Sequence, residues 1–374
     1  MGILLLTWKH LIMYLIGSGL IYLAIKKKYE PSLLLPIGFG TLLVNIPLSG
    51  ALNQTRSGIG EVHGAIEWLY SVGIGASEIM PLLLFIGIGA MIDFTPLLTN
   101  PKMFILGLVS QLGIVVTIIL AVILGFNLTD AASIGMIGAA DGPTAILVSQ
   151  IFKSNYIGAI TVAAYSYMAL VPILLPAAIK LTTTKKERQI KMENTTKEVS
   201  QIAKIIFPIV TTMICGFIAP ASVSLIGFLM FGNLLRECGV LDSLSETAQK
   251  ILANLVTLLL GLTVSFNMTA EAFINIQTLI IIVLGLIAFI VDAMIGVLSA
   301  KFLNLFSKNK INPMIGAAGI SAFPMASRVV QKLGQKEDNQ NFLLMHAAGA
   351  NVAGQIASVI AGGLILNIIP MLIK

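Results

Sequence analysis

Asp141 lies in GAADGPTAI, residues 138–146, within a long apolar stretch. At bilayer depth an acidic side chain costs at least about 2.5–3.5 kcal/mol, so its presence there calls for a reason. Gly142 and Pro143 follow it directly. Proline removes a backbone donor and obstructs the carbonyl four residues earlier, which predicts a helix broken at the carboxylate. Freed carbonyls, the Asp141 carboxylate and the Thr144 hydroxyl then converge as an all-oxygen set, suited to a hard cation and not to a transition metal. Burial favours the protonated carboxyl and a bound cation favours the charged one, so a single residue can exchange a proton for a sodium ion. The competing reading is a helix cap.

A second segment, NPMIGAAGISAFPMASR at 312–328, supplies the complement. Asn312 and Ser321 offer neutral oxygens near its break, and Gly316 and Gly319 allow close backbone approach. Arg328 stands seven residues after Ser321, on the same face of a helix, where its guanidinium can grip a planar carboxylate. Its alternative is snorkelling to the membrane surface. In NVAGQIASVIAGG, Asn351, Gln355 and Ser358 form a polar stripe at helical spacing. Asn351, flanked by Gly349 and Gly354, is the ligand candidate of the three, while Gln355 and Ser358 also read as interhelical glue. Tyr165 and Tyr167 are two apart, so at most one faces the site. Asp93, ahead of Pro96, reads as a cap. Asp292 is either an ion-path residue or a buried hydrogen-bonding group, and His346 a satisfied helix histidine.

The elements that must hold these residues follow from composition. Of 374 residues, 57% are hydrophobic and only 11% charged, against roughly 25% charged in a soluble domain. A soluble enzyme, a disordered chain and a nucleic-acid-binding module are excluded. Long apolar runs, not alternating ones, predict an all-α polytopic membrane protein, with about nine to eleven spans of roughly 20 residues. Segments 32–48, 79–92, 128–150 and 312–330 are short or rich in Gly and Pro, which suggests broken or re-entrant helices around a protected site. Cys215 and Cys238 read as two unpaired thiols, and three scattered histidines make no metal cluster. The net charge of +6 reads as a record of orientation, with Lys26 to Lys28 and Lys185, Lys186, Arg188 and Lys191 on the cytoplasmic side.

MIGAA occurs at 136–140 and again at 314–318, and each copy soon meets a proline. Between the copies lies the polar stretch 182–201, read as a solvated connector. This divides the chain into a first half, 1–181, a linker, 182–201, and a second half, 202–374. Two such halves point to a transporter with its site at the repeat interface.

GAADGPTAI, AAYSYMALVP, NPMIGAAGISAFPMASR and NFLLMHAAGANVAG, with FIGIGAMIDFTPLLTNPK and IGFGTLLVNIP, resemble the membrane-embedded beta subunit of the biotin-dependent sodium-pumping decarboxylases. That group acts on oxaloacetate, methylmalonyl-CoA or glutaconyl-CoA. The resemblance covers nearly the whole chain. It implies an inverted-repeat, elevator-like fold in the bacterial cytoplasmic membrane. The implied partners are a carboxyltransferase alpha subunit, a biotin carrier and a small gamma or delta membrane subunit, assembled as a trimer of membrane subunits. The implied activity is decarboxylation of carboxybiotin coupled to sodium export, with a proton consumed. By motif match the family's functional residues fall on Asp141, Tyr167, Asn312, Gly316, Ser321, Arg328 and Asn351. Asp141, Asn351, Ser321, Asn312 and Thr144 would then hold sodium. Arg328, with Ser321 and Gly316, would receive carboxybiotin, and Asp141 or Tyr167 would relay the proton. Biotin must arrive on a partner, because Ile190-Lys191-Met192-Glu193 lacks an attachment context. Many members read GPNVAG where this chain has Gly349-Ala350-Asn351, and the chain is shorter than oxaloacetate-type members, which leans toward an acyl-CoA system. The rival reading is a stand-alone sodium-coupled organic-anion transporter.

Overall fold

The structure, a computed structural model, describes residues 2–28, 31–56, 60–76, 78–192, 198–307 and 309–373. Helices account for nearly all the regular structure. The exception is a small antiparallel ribbon, Gln54–Arg56 with Gly60–Val62, in the polar stretch after the second helix. Six helices are long and apolar enough to cross a bilayer: Trp8–Lys26, Lys102–Ile123, Gln201–Ile218, Asp242–Asn267, Ile276–Phe306 and Leu344–Ile373. Two bent pairs, Ala65–Gly75 with Ile79–Met91 (66°) and the two parts of Ile157–Thr182 (73°), bring the number to as many as eight among the described residues. The chain is therefore a multi-pass membrane protein.

That total is below the nine to eleven expected, because Pro31–Val44 is apolar but only 14 residues long; the broken segments behave as expected. The apolar stretch 128–150 folds as two short helices, Leu128–Gly135 and Gly142–Ile151, which do not form a span. Its counterpart in the second half folds as Met314–Ala317 and Met325–Glu337. Backbone groups inside a membrane must find partners within the protein, so a non-helical stretch persists there only under cover. Cover is complete: every residue from 130 to 149 and from 311 to 322 is buried. The largest apolar cluster encloses both breaks with Met136, Ile137, Ile315 and Ala318, closed by Val352 and Ile356 of the last helix.

Ile276–Phe306 has 31 residues and Leu344–Ile373 has 30, each about 45 Å long at 1.5 Å per residue. They exceed the roughly 30 Å of hydrocarbon and so run past it. Asn275 starts the first of them by accepting a hydrogen bond from the Thr278 N–H at 2.8 Å, a side-chain cap for an otherwise orphaned donor. Small residues let the long helices close on the breaks. A methyl at Gly316 would stand 1.9 Å from the Gly296 carbonyl oxygen, so only glycine fits where the second break lies on Ile276–Phe306. Cys215 is buried and Cys238 half-buried, both as free thiols.

Candidate functional site

The two breaks touch. Ser321 N–H donates to the Ala139 carbonyl at 3.0 Å, joining the non-helical stretch of one half to that of the other. Ala140 holds a left-handed φ of +54°, rare for a residue with a Cβ, and this turns the chain so that Asp141 can start a new helix. Pro143 sits in that helix's first turn, where its missing N–H costs nothing.

Asp141 is 2% exposed and is thereby drawn into a polar cluster. Its Oδ2 accepts from Ser358 Oγ at 2.6 Å and from Thr144 Oγ1 at 2.7 Å, with a longer contact from Gln355 Nε2 at 3.4 Å. Its Oδ1 receives only the Thr144 N–H, at 3.4 Å. No ion pair among the described residues involves this carboxylate. The Tyr165 ring packs on Gly142, where a methyl would lie 2.5 Å from Cζ, and the Tyr165 hydroxyl is buried without a partner.

The polar stripe of the last helix spans the site with its two ends on different breaks. Ser358 and Gln355 reach Asp141 in the first half. Asn351 Nδ2 donates to the Ile320 carbonyl of the second break at 2.7 Å, and its Oδ1 is buried with no donor. Ser321 Oγ donates to the Gly354 carbonyl at 3.0 Å. An orphaned carbonyl oxygen and a carboxylate without a counter-charge are groups whose lone pairs a small cation can satisfy. Among the described residues no three of His, Cys, Asp and Glu come together, so the donor set is one carboxylate plus neutral oxygens. That fits a hard monovalent ion.

Three expected site residues make contacts away from Asp141. Tyr167 turns away from Asp141, and its hydroxyl donates to the Ile282 carbonyl of Ile276–Phe306. Tyr165 is the tyrosine that faces the carboxylate, since residues two apart on a helix point in different directions. Asn312 is no ion ligand in this arrangement. Its amide donates to the carbonyls of Arg188 and Ile190 at 2.9 and 2.8 Å, while its Oδ1 accepts the Met314 N–H at 3.1 Å. Arg328 is exposed, with no ion pair among the described residues. Asp93 accepts from the Thr95 N–H at 2.9 Å at the start of Thr95–Thr99.

Residues 187–191 of the linker are anchored where a solvated connector was expected, while 193–197 lie outside the described residues. Arg188 pairs with Glu337 at 2.8 Å, Lys191 with Asp338 at 3.2 Å and Glu187 with Lys301 at 2.9 Å. Asn341 joins Asn312 on the same two linker carbonyls. The Gln340 N–H and the Lys191 ammonium hold the Asp338 carboxyl below the usual carboxylate range, so this contact is complete above that range and is lost only as pH falls beneath it, through the lowered value. Asn312→Ala removes one of the two side-chain donors that share these half-buried carbonyls, leaving Asn341 alone on them, an expected loss of about 0.5–1.5 kcal/mol. Limited trypsin digestion checks it: cleavage after Arg188 should be slow in the parent complex and fast in the variant.

A polytopic membrane chain whose two broken-helix segments meet beside a buried carboxylate, with no cationic partner among the described residues, has the build of a cation translocase. Residues 9–369 match the family described as the Na+-transporting oxaloacetate decarboxylase beta subunit. The methylmalonyl-CoA decarboxylase subunit beta of Veillonella parvula is 48% identical over 365 residues, covering 98% of this chain and 94% of that protein. The glutaconyl-CoA decarboxylase subunit beta of Acidaminococcus fermentans is 46% identical over 369 residues, covering 98% and 95%. The oxaloacetate decarboxylase beta chain of Klebsiella pneumoniae is 45% identical, covering 98% and 96%. The chain belongs to this family, and it is a membrane subunit of a sodium-transporting decarboxylase.

Proposed function

We propose that the chain releases carbon dioxide from carboxybiotin brought by a partner subunit and uses that free energy to export sodium, taking up a proton. One observation carries the reading: Asp141 is buried, ringed by Thr144, Ser358 and Gln355, and has no cationic partner among the described residues. A carboxylate in that setting requires a proton or a metal ion. Sodium is the cargo. Asp141, Thr144 and Ser358 surround the ion at the first break, and Ser321 with the orphaned oxygen of Asn351, about 10 Å along the last helix from Ser358, offers a second stop at the other break.

Arg328, exposed and free of an ion pair among the described residues, is the group placed to receive the carboxylate of the incoming substrate. Its fork matches a planar anion. Tyr165, against Gly142 with an unpartnered hydroxyl, is better placed than Tyr167 to pass the consumed proton toward Asp141. Biotin is not attached to this chain; it comes on a carrier, after a carboxyltransferase alpha subunit has loaded it. A small gamma or delta subunit completes the membrane part, as a trimer of such assemblies.

The halves 1–181 and 202–374 are read as inverted repeats that move as an elevator. Support for this is the pairing of the two breaks through Ser321 and Ala139, which gives both halves a hold on one site. A ligand drives such a change only by its differential affinity for the two states, so sodium and carboxybiotin must both bias it. An acyl-CoA is the substrate class favoured for the complex. The alignment with the Klebsiella oxaloacetate protein runs over 419 positions, more than this chain's 374 residues, so that relative carries insertions absent here.

Proteoliposomes holding the whole complex test the reading. Radiolabelled sodium should enter the lumen of inside-out vesicles only when the acid substrate is supplied, and avidin should stop it. Uptake by this chain alone, insensitive to avidin, would establish the stand-alone organic-anion transporter instead.

A further inference from the structure

Asp292 is the second buried carboxyl near the breaks, and nothing in the mechanism above uses it. It lies within Ile276–Phe306, is 1% exposed, and both its oxygens lack a hydrogen-bond partner. Two glycines press on it from other segments. A methyl at Gly113 would stand 1.3 Å from Oδ1, and one at Gly138 would stand 2.8 Å from Oδ2. Gly138 belongs to the first break, three residues before Asp141.

The elements packed on this helix are Lys102–Ser110, Leu112–Ile123, Leu128–Gly135, Ile157–Thr182, Ala270–Phe273 and Met314–Ala317. Their titratable side chains are Lys102, Asp130, Tyr165, Tyr167, Lys180 and Glu271, with Lys301 on the helix itself and Asp141 beyond Gly138. None of them bonds to Asp292. Asp130 is held by Asn127 and Ser154, Tyr167 by the Ile282 carbonyl, and Lys301 by Glu187. A buried carboxylate with no donor or counter-ion among its protein neighbours is not sustainable in such surroundings, which leaves a bound cation or a proton. Space decides between them. The glycine contacts leave no room at Oδ1 for a hydrated ion, and among the described residues no cluster of His, Cys, Asp and Glu forms around it that could hold a metal.

We propose that Asp292 is a second proton-binding site of the transport cycle. It holds a proton while Gly138 of the first break and Gly113 are packed on it. When that contact opens, the carboxyl O–H bond breaks and the proton passes to an entering water. Gly138 and Asp141 share one break, so an ion that shifts the break at Asp141 changes the surroundings of Asp292. By linkage, protonation of Asp292 then alters the affinity for that ion to the same degree. The proposal rests on the sodium reading of Asp141 only for which ion moves the break.

Infrared difference spectra of the purified complex, recorded with and without sodium and with no acid substrate, supply the test. The expected spectrum contains a carboxylic-acid C=O band that shifts in heavy water. Asp292→Asn should remove this band, Asp292→Glu should move it, and the sodium-induced amide bands should remain in both. The half-saturating sodium concentration gives a second reading. Each linked proton changes it by about tenfold per pH unit, and Asp292→Asn should flatten the slope by up to one proton. Wild-type carboxylic-acid bands and a wild-type slope in Asp292→Asn overturn the proposal. A parent complex that shows no sodium-induced spectrum at all refutes the sodium reading of Asp141 instead. The acid-minus-neutral spectrum then decides Asp292 alone, against the proposal if Asp292→Asn leaves it unchanged. If Asp292→Asn does not assemble, Gly113→Ala replaces it: its methyl displaces Oδ1 and must shift the same band, or the proposal fails.

Discussion

Asp141→Asn is expected to abolish sodium uptake and carbon dioxide release together, by about a thousandfold or more, equivalent to ~4 kcal/mol of transition-state stabilisation. The substitution keeps the volume and the hydrogen-bond geometry. Ser358 and Thr144 can still donate to an amide oxygen at 2.6 and 2.7 Å, so the break and its packing survive. What disappears is the negative charge, and with it any ability to bind a proton. Inside the protein, where the effective dielectric is low, a neutral ligand cannot replace the charge that compensates a cation. Both activities must fall, because under the proposed coupling the proton consumed in decarboxylation and the ion expelled use the same carboxyl. Co-purification with the partner subunits checks assembly, and radiolabelled sodium uptake beside carbon dioxide release checks function. A variant that assembles and pumps at the parental rate removes Asp141 from the mechanism.

The break at Asp141 was legible in the sequence because its cause is local: a glycine and a proline follow the carboxylate, and small residues precede it. The cover around it was legible too, in apolar runs too long for any soluble core. Rotational phase was not. Which of Asn351, Gln355 and Ser358 meets Asp141 depends on how Leu344–Ile373 is turned, and that is set by tertiary packing. Gly354 lies so close to the second break that a methyl there would be 2.0 Å from the Gly319 carbonyl oxygen. Flanking glycines made Asn351 the ligand candidate, whereas the structure puts Ser358 and Gln355 on the carboxylate. The same holds for the tyrosine pair, where Gly142 selects Tyr165. Asn312 is a different kind of miss. Its partners are backbone carbonyls of the linker more than a hundred residues away, and a carbonyl leaves no mark in a sequence. The six to eight helices that qualify as spans fall short of nine to eleven because apolar stretches such as 32–48 fold as helices of only 14 residues, and hydropathy does not fix where a helix ends.

Ser358→Ala is expected to raise the half-saturating sodium concentration by about tenfold to a hundredfold, since a hydrogen bond to a charged group contributes roughly 1.5–3 kcal/mol. Gln355→Met, which removes a contact of 3.4 Å, should have a smaller effect, and the double variant should approach the sum only if the two donors act independently. The direction follows from what the donors do. They stabilise the charged carboxylate, so without them a proton competes better and sodium worse, and the penalty should grow as pH falls. Asn351 provides the internal contrast. It lies seven residues from Ser358, about 10 Å along the helix, and its amide is committed to the Ile320 carbonyl. If sodium sits at the carboxylate, Asn351→Ala should change its affinity less than Ser358→Ala does, and should mainly slow the conformational step that the second break controls. A larger affinity loss in Asn351→Ala than in Ser358→Ala would move the ion to the orphaned oxygen of Asn351, leaving Asp141 as the proton carrier of the pair.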